Sequence, residues 1–381
     1  MAGSSSRTTA LQRRLGDTAV ERLKDFARRE WFLTALLLLY LVLVLHDPTL
    51  PGRTPGRVDW RSLALITSLI LVSKGLELSG VFTRLSIRLI SLSGGSERKL
   101  MLLLIPIIAL SSAVIMNDTA MLVFIPLVVI TARLAGINTA RAVTLSAIAA
   151  NVGSALTPIG NPQNIIIWNA YGISFLGFVR AMLLPVGIWL AVLLLFTLTI
   201  REGPVSIGRL PPVAVKRRLF VASFGLLVSD VILAEAGRGL WTLPLTLVVL
   251  LIAGREALLG FDWALVLTFA LIFVDFGEVA RLISLSGMEF PVDGVGLLFA
   301  SAGMSQVISN VPATVVLVSS GRPDWLPLAL GVNIGGTGII VGSLANLIAL
   351  RISGIGMADF HRFSIPYFLL ALGVSILIIL L

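Results

Sequence analysis

Two stretches that interrupt apolar segments with glycine, proline and asparagine constrain this chain more than any other feature. The first runs from Asn151 to Asn164 and lies between two apolar segments, each too short to cross a bilayer alone. Non-helical backbone at membrane depth is tolerated only when it is buried in protein or lines a polar cavity. The pattern therefore predicts one membrane helix that is broken in the middle, with amides and hydroxyls gathered at the break.

The same skeleton occurs a second time, from Asn333 to Asn346. Asparagine and glycine agree at four positions that are all 182 residues apart, and a Phe-x-Arg match follows at the same offset. The four matched pairs are Asn151 and Asn333, Gly153 and Gly335, Gly160 and Gly342, and Asn164 and Asn346. Self-similarity at one fixed offset indicates an internal repeat.

The composition places the repeat in a membrane. The chain has 381 residues, of which 57% are hydrophobic, and a mean hydropathy of +0.99. This excludes an ordinary soluble protein and predicts an all-α polytopic membrane protein. Cysteine is absent and histidine occurs twice, which leaves no thiolate or histidine metal cluster. The net charge of +9 is best explained by basic cytoplasmic loops, so lipid is the expected partner and nucleic acid is not.

The predicted organisation is two repeats of opposite orientation. Each half reads as span, span, hairpin, broken span, span, and one extra span inverts the second half. Lys and Arg are about three times as frequent on the segments assigned to the cytoplasm, which places the N-terminus there and the C-terminus outside. The predicted segments are 1–30, a basic amphipathic helix on the membrane surface; 31–200, the first repeat, with a hairpin at 100–130 and a broken helix at 139–171; 201–240, a basic cytoplasmic loop and a linker span; and 241–381, the second repeat, with a hairpin at 295–319 and a broken helix at 326–352. Within the first repeat, a span at 31–46 precedes an external Pro- and Gly-rich loop.

The hairpins have polar tips, Met116-Asn117-Asp118-Thr119 and Ser309-Asn310-Val311-Pro312. Their short arms favour re-entrant hairpins over pairs of full spans, and opposite orientation lets the tips meet near the midplane. Asp118 is the only carboxylate at either tip. Because a carboxylate at membrane depth is costly unless it is paired or protonated, Asp118 is a candidate proton carrier. The alternative is a helix cap that accepts from the Ala120 or Met121 N–H.

The breaks and tips together define the expected solute site. Unwound helices expose carbonyl oxygens that suit a cation, and N–H groups at helix starts that suit an anion. The predicted binding residues are Asn117, Asp118, Thr119, Asn151, Ser154, Thr157, Gly160, Asn161, Asn164, Ser309, Asn310, Asn333, Gly335, Thr337, Gly342, Ser343 and Asn346. Asn117, Asn151, Asn310 and Asn333 are the candidate Na⁺ ligands. For the asparagines of the breaks, the alternative is structural amide bonding that closes each break.

Charged residues elsewhere in the spans can be explained without a role in transport. Lys74 and Glu77 lie one turn apart, as do Asp275 and Glu278. Snorkelling and local pairing at the interface explain both, and the sharper alternative is a link between a moving core and a scaffold. Arg180 and Arg362 begin the last span of each half and fit headgroup anchors.

At these motifs the sequence resembles the ion transporter superfamily, which includes arsenite permeases, D-type sodium/proton antiporters, citrate–metal transporters and divalent-anion/sodium symporters. Residues 157–164 resemble the first broken-helix loop across these families, and residues 116–118 resemble the Asn-Asp tip of arsenite permeases. Residues 331–336 and 342–345 resemble the second broken helix. The resemblance implies a transport core of two hairpins and two broken helices that moves, elevator-like, against a scaffold that is usually dimeric. The Ser-Asn-Thr signature of the symporters is absent from both tips, which argues against sodium-coupled dicarboxylate uptake.

Three classes of function follow. The leading hypothesis is a secondary transporter of a small anion or an oxyacid such as arsenite in the inner membrane, without a cofactor and driven by an H⁺ or Na⁺ gradient, with Asp118 as the proton carrier. The second is a sodium/proton antiporter of the D type. The third, a membrane enzyme or receptor, lacks support because the sequence has no metal cluster, Ser–His pairing or Walker-type loop. An ATPase subunit, as in some arsenite systems, would be a separate chain.

Overall fold

The computed structural model describes residues 30–93, 96–200 and 213–381, together with isolated residues between 21 and 27. Every regular element in this described part is helical, which confirms the all-α prediction. Among the described residues, four helices are long and apolar enough to cross a membrane: Asn117–Leu134, Phe175–Leu198, Trp263–Leu285 and Met357–Leu380. Most of the predicted N-terminal amphipathic helix, and residues 201–212 of the predicted basic loop, lie outside the described residues.

The helices are numbered here in chain order. They are α1 Trp31–His46, α2 Leu50–Arg57, α3 Trp60–Leu78, α4 Val81–Leu92, α5 Glu97–Ser112, α6 Asn117–Ala135, α7 Thr139–Ser154, α8 Pro162–Tyr171, α9 Phe175–Leu198, α10 Arg217–Glu235, α11 Thr242–Ala253, α12 Arg255–Leu259, α13 Trp263–Leu285, α14 Gly294–Ile308, α15 Asn310–Gly321, α16 Trp325–Gly335, α17 Leu344–Ser353 and α18 Met357–Leu380. Two 3₁₀ turns, Gly239–Trp241 and Ile340–Gly342, precede α11 and α17.

The chain divides into two units, and the smaller one holds α1, α2 and Asp262–Asp275, which includes the first part of α13. Here the expected external loop is wrong in part, because Leu50–Arg57 is a helix. The side chain of Asp47 accepts from the Thr49 N–H and hydroxyl, which sets up the start of that helix. Pro51 falls in the first turn, where its missing N–H costs no hydrogen bond.

The larger unit contains Asp59–Phe261 and Phe276–Leu381. Within it, α3 packs against α10 and α11, and we call these three helices the α3 bundle. Asp59 begins α3 by accepting from the Arg61 and Ser62 N–H groups. The hairpins and broken helices form a second group, which we call the core.

The core has the same packing pattern in both halves. The first hairpin, α5–α6, packs on α7, and the second, α14–α15, packs on α16. The later arm of each hairpin also reaches into the other half, so α6 contacts α17 and α15 contacts α8. The two broken helices are therefore held between two hairpins, and each hairpin contacts both halves of the repeat.

The hairpin arms are longer than the sequence predicts. α6 has 19 residues and ends at Gly136, which has a positive φ of 66°; α5 begins at Glu97, after the Ser96 hydroxyl accepts from the Lys99 N–H. At 1.5 Å per residue, α6 is about 28 Å long, close to the hydrocarbon thickness of about 30 Å. The second hairpin is shorter, with arms of 15 and 12 residues.

Candidate functional site

The first break is closed by its own asparagines. α7 ends at Ser154 and α8 begins at Pro162, with Asn161 as the cap whose side chain accepts from the Asn164 N–H at 3.0 Å. The amide nitrogen of Asn164 donates back to the carbonyl oxygens of Ser154 and Thr157, at 3.3 and 3.0 Å. One side chain therefore satisfies the carbonyl groups that the missing helical turn leaves without partners.

The second break repeats this arrangement. α16 ends at Gly335, a 3₁₀ turn follows at 340–342, and α17 begins at Leu344. The amide nitrogen of Asn346 donates to the carbonyl oxygens of Gly336 and Ile339, at 2.8 and 3.4 Å. These acceptors are the repeat equivalents of Ser154 and Thr157.

A reciprocal exchange of asparagine hydrogen bonds joins the two breaks. Asn151 Nδ2 donates to Asn346 Oδ1 at 2.8 Å, and Asn333 Nδ2 donates to Asn164 Oδ1 at 2.7 Å. The second bond is the repeat equivalent of the first. All four asparagines are buried, so both breaks meet in one polar cluster inside the larger unit.

Asn151 and Asn333 use their full hydrogen-bonding capacity within the protein. Asn151 also donates to the Gly336 carbonyl oxygen at 3.2 Å, and its Oδ1 accepts from Asn117 Nδ2 at 3.0 Å and the Ser343 hydroxyl at 3.2 Å.

Asn333 reaches the same total with different partners. It also donates to the Ala329 carbonyl oxygen at 2.8 Å, and its Oδ1 accepts from Asn161 at 2.9 Å and Gln163 at 3.3 Å. Each amide thus makes four bonds, the most its groups usually allow. A solute could bind Asn151 or Asn333 only by replacing one of these bonds, which favours the structural alternative for them.

The hydroxyl groups of the breaks are also bound internally. Ser154 donates to the Asn151 carbonyl oxygen at 2.8 Å and Thr157 to that of Ala113 at 2.6 Å. Thr337 donates to the Ile334 carbonyl oxygen at 2.7 Å. The glycines serve the backbone, since a Cβ on Gly160 would lie 2.1 Å from the Ser154 carbonyl oxygen. The equivalent Gly342 would approach the Gly335 carbonyl oxygen to 2.5 Å.

The hairpin tips retain unused polar groups. The Asn117 N–H donates to the Gly160 carbonyl oxygen at 3.0 Å, which seats the first tip on the first break. Asn117 Oδ1 accepts from the Asp118 N–H at 3.0 Å, and Asn310 Oδ1 accepts from the Val311 N–H at 2.9 Å. The second tip turns at Ser309, where φ is +75°.

Asp118 does not act as the helix cap that the alternative interpretation proposed. Met116 is the cap residue of α6 and makes no side-chain cap bond. No described residue donates a hydrogen bond to the Asp118 carboxylate, and the side chain is half-buried. Among the described residues, the Asn310 Nδ2 and Thr119 hydroxyl groups are likewise without hydrogen-bond partners. These groups, and the starts of α6, α8, α15 and α17, are what the site offers to a solute.

Three polar residues that the sequence did not single out as binding residues contribute here. Gln306 on α14 donates to the Gly335 carbonyl oxygen and accepts from the Ile339 N–H at 2.7 Å, so it spans the second break. Gln163 Oε1 is buried without a hydrogen-bond partner among the described residues. The Ile340 N–H donates to His361 Nε2 at 3.2 Å.

Two carboxylates outside the core are fully buried. Asp230 of α10 accepts from the Ser68 hydroxyl at 2.6 Å, and its other oxygen has no partner among the described residues. Both oxygens of Asp275 are buried and, within the same described part of the chain, lack hydrogen bonds, so the prediction that it snorkels to the interface is wrong for this residue.

The other charged residues of these spans form local ion pairs. Lys74 and Glu77 form the expected local pair at 2.9 Å. Glu278 pairs with Arg281, one turn further along α13.

The sequence is similar to a transporter family and to other membrane proteins, and the fold is similar to that of a solved transporter. Residues 26–320 match the sequence profile described as CitMHS, citrate transporter. The inner membrane protein YbiR of Escherichia coli is 36% identical over 92% of this chain and 96% of its own length. The uncharacterized transporter MJ0456 of Methanocaldococcus jannaschii is 31% identical over 78% of this chain and 82% of its own. The crystal structure of the YdaH transporter of Alcanivorax borkumensis, described as having an unusual topology, has a TM-score of 0.51 at 15% identity and covers 89% of this chain and 87% of that one.

Proposed function

The chain belongs to the citrate transporter family and is a multi-pass inner membrane transporter, and from this premise we propose that it carries a small anion or oxyacid together with protons. The solute class includes carboxylates, inorganic anions and arsenite-like oxyacids. The observation that carries the proposal is the cluster in which both breaks meet the first hairpin tip, with Asn310 Nδ2 of the second tip next to Gly336.

The electrostatics of this cluster favour an anion. Four helices, α6, α8, α15 and α17, begin at the tips and breaks, and helix N-termini attract negative charge. The tips and breaks contain no lysine, arginine or histidine, so an anion bound there would be held by helix N-termini and neutral donors alone. Amide nitrogen on Asn310 supplies a neutral donor within the same cluster.

Asp118 provides the coupling. An ionised carboxylate repels an anion bound at the starts of the same helices, whereas a protonated one does not and can donate a hydrogen bond. Proton and anion therefore bind together and leave together, which is the requirement for symport. For a cation the same group would act in the opposite sense, since proton and cation would compete for one carboxylate.

The test is Asp118→Asn in proteoliposomes loaded and assayed with citrate, phosphate and arsenite as separate probes. Asparagine keeps the shape and removes the titration of this carboxylate, so the part of the pH dependence of uptake that comes from proton coupling should disappear, with a loss of accumulation against a gradient. Exchange of labelled solute across the membrane should persist, because the binding groups remain. Unchanged pH dependence in the variant would rule out Asp118 as the proton carrier.

We further propose that the core moves against the α3 bundle during transport, in the elevator manner. The Met116 N–H at the first hairpin tip donates to the Ser73 hydroxyl of α3 at 3.3 Å, so a movement of the core would break this bond. The interface can be cross-linked cleanly because the chain has no cysteine. Oxidation of the variant Ser73→Cys/Met116→Cys should stop uptake and a reductant should restore it, while each single variant stays active. Uptake that continues through a complete cross-link would exclude the movement.

A sodium/proton antiporter is the second candidate, and Asp118 without a cationic partner is the observation that favours it. The two candidates differ in which ligand stabilises the purified protein. A rise in thermal unfolding midpoint with sodium alone would support the antiporter, and a rise with an anion that grows as pH falls would support the symporter.

A further inference from the structure

The two breaks differ at one backbone position, and the difference introduces a titratable group. Ile340 in the second break is the repeat equivalent of Pro158 in the first. Proline has no N–H, so the first break has no donor to satisfy at this point. Ile340 has one, and its partner is the imidazole Nε2 of His361 at 3.2 Å. The residue equivalent to His361 in the first half is Val179, which offers no side-chain acceptor.

This hydrogen bond requires one protonation state of the imidazole. Nε2 can accept only when it carries no proton, which places the single N–H of the neutral ring on Nδ1. A second proton turns the acceptor into a donor that faces another donor, and the bond is lost. Ile340 is buried, so its N–H would then lack a partner, which destabilises this arrangement of the second break.

We propose that His361 is a positioning residue of the transport core, whose unprotonated Nε2 fixes the second break, and that its protonation releases that break while the first break stays unaffected. The proposal deepens the proposed transport function, because the released segment includes Gly342 and Ser343, which adjoin the asparagine cluster. The solute site is then sensitive to protons at two places with different roles. Asp118 binds the transported proton, and His361 sets the shape of the second break.

The charged residues on the helices that pack against His361 do not form an ion pair with it in the described part of the chain. Its helix, α18, packs against α7, α9, α14, α16 and the 3₁₀ turn 340–342. The charged groups on these elements are Asp359 and Arg362 on α18 itself, Arg141 on α7 and Arg180 on α9. Arg141 is paired with Glu97 and Arg362 lies over the Phe363 ring. Neither these groups nor Asp359 and Arg180 form an ion pair with His361 among the described residues.

The chain itself suggests the variants. Ile340→Pro copies the first break, and the site accepts proline because Ile340 is the first residue of its 3₁₀ turn and Ile339 has an extended backbone, with φ −77° and ψ 162°. His361→Gln keeps an acceptor that does not titrate. His361→Leu removes the acceptor at every pH.

The experiment uses the full chain in lipid nanodiscs with a cysteine introduced by Val341→Cys, beside the contact in an otherwise cysteine-free protein. The rate of modification by a water-soluble maleimide is measured from pH 5 to 8, and each rate is divided by that of the His361→Gln background at the same pH, which removes the titration of the thiol itself. The assay needs no solute, so its outcome is independent of whether anion transport is correct.

We expect the normalised rate to rise severalfold as pH falls and the imidazole takes up its second proton. His361→Leu should be fast at all pH values. The Ile340→Pro variant should be modified slowly at every pH. Adding His361→Leu to Ile340→Pro should not raise the modification rate. A parent profile that matches His361→Gln, or a pH response that survives Ile340→Pro, would overturn the proposal. Retained uptake by His361→Gln with a flattened pH profile separates positioning from a merely structural role.

Discussion

The first and second breaks have the same asparagine hydrogen bonds but differ in the residues that surround these bonds. Both are closed by one asparagine, Asn164 or Asn346, and both are joined by the same exchange of amide hydrogen bonds. The first break is stiffened by two prolines, and its hairpin tip contains Asp118. The second is rich in glycine and depends on Gln306 and His361 from other helices. The shared part therefore maintains the architecture, whereas the unshared part contains the groups that can titrate.

The strongest test of the shared part is to remove one central asparagine. Asn151→Ala leaves Asn117 Nδ2, the Ser343 hydroxyl and Asn346 Oδ1 without a partner, removes one of the two donors to the Gly336 carbonyl, and should destabilise the protein by about 3–5 kcal/mol. Asn333→Ala should have an effect of similar size, because its side chain makes the same number of hydrogen bonds. Midpoints of unfolding in detergent measure both.

Asn169→Ala is the matched control, since that half-buried amide makes a single bond to the Ser62 hydroxyl. It should cost less than about 1 kcal/mol. A central asparagine that proves as tolerant as Asn169 would show that the exchange does not hold the breaks together.

Alanine at the equivalent glycines of the two halves, where helices cross closely, should have a smaller effect on stability, and the size of the effect should differ between the halves. A Cβ on Gly153 would lie 2.0 Å from the Ala109 carbonyl oxygen, whereas one on Gly335 would meet the Ser305 Cβ at 2.5 Å and the Ala302 carbonyl oxygen at 3.0 Å. Gly153→Ala should therefore cost about 2–3 kcal/mol and Gly335→Ala somewhat less. Thermal unfolding of the two variants side by side would show the order.

Gly187→Ala and Gly373→Ala provide the control, because both glycines lie inside helices with nothing within 4 Å of the added methyl group. Alanine should be neutral or slightly stabilising there. Equal losses at crossings and control sites would mean that the close approach is not what requires glycine.

The smallest effect concerns a pair of arginines that link the halves at the ends of the broken helices. Arg322 donates to the Ala170 carbonyl oxygen at 2.9 Å, and Arg133 donates to that of Ser353 at 3.4 Å. Both are exposed and face the C-terminal ends of α8 and α17, where a cation stabilises a helix by about 0.3–1 kcal/mol. Each alanine variant should lower stability by no more than this amount, and added salt should reduce the difference. A loss of several kcal/mol would mean that these arginines, like the central asparagines, are needed to hold the breaks together.

The sequence was sufficient for the features that depend on local spacing. The matched asparagines and glycines predicted two broken helices, and helical breaks are present at both places. It did not reveal that Asn151 and Asn333 are saturated, because that depends on which side chains meet across more than 150 residues. Gln306 and His361 were not singled out because each lies on a helix that looks ordinary, and only packing brings it to the break. The helix Leu50–Arg57 was missed because its prolines and glycines favour a loop unless the starting turn is known.

The bond between Asn151 and Asn346 also has a consequence for biosynthesis. Its partners are 195 residues apart in the chain. A ribosome that adds 5–20 residues per second needs about 10–40 s to synthesise the second partner after the first. During this interval the first break has been made, but the amides that complete it are still missing. The nascent first half must therefore wait beside water, lipid headgroups or the insertion machinery until the second half arrives.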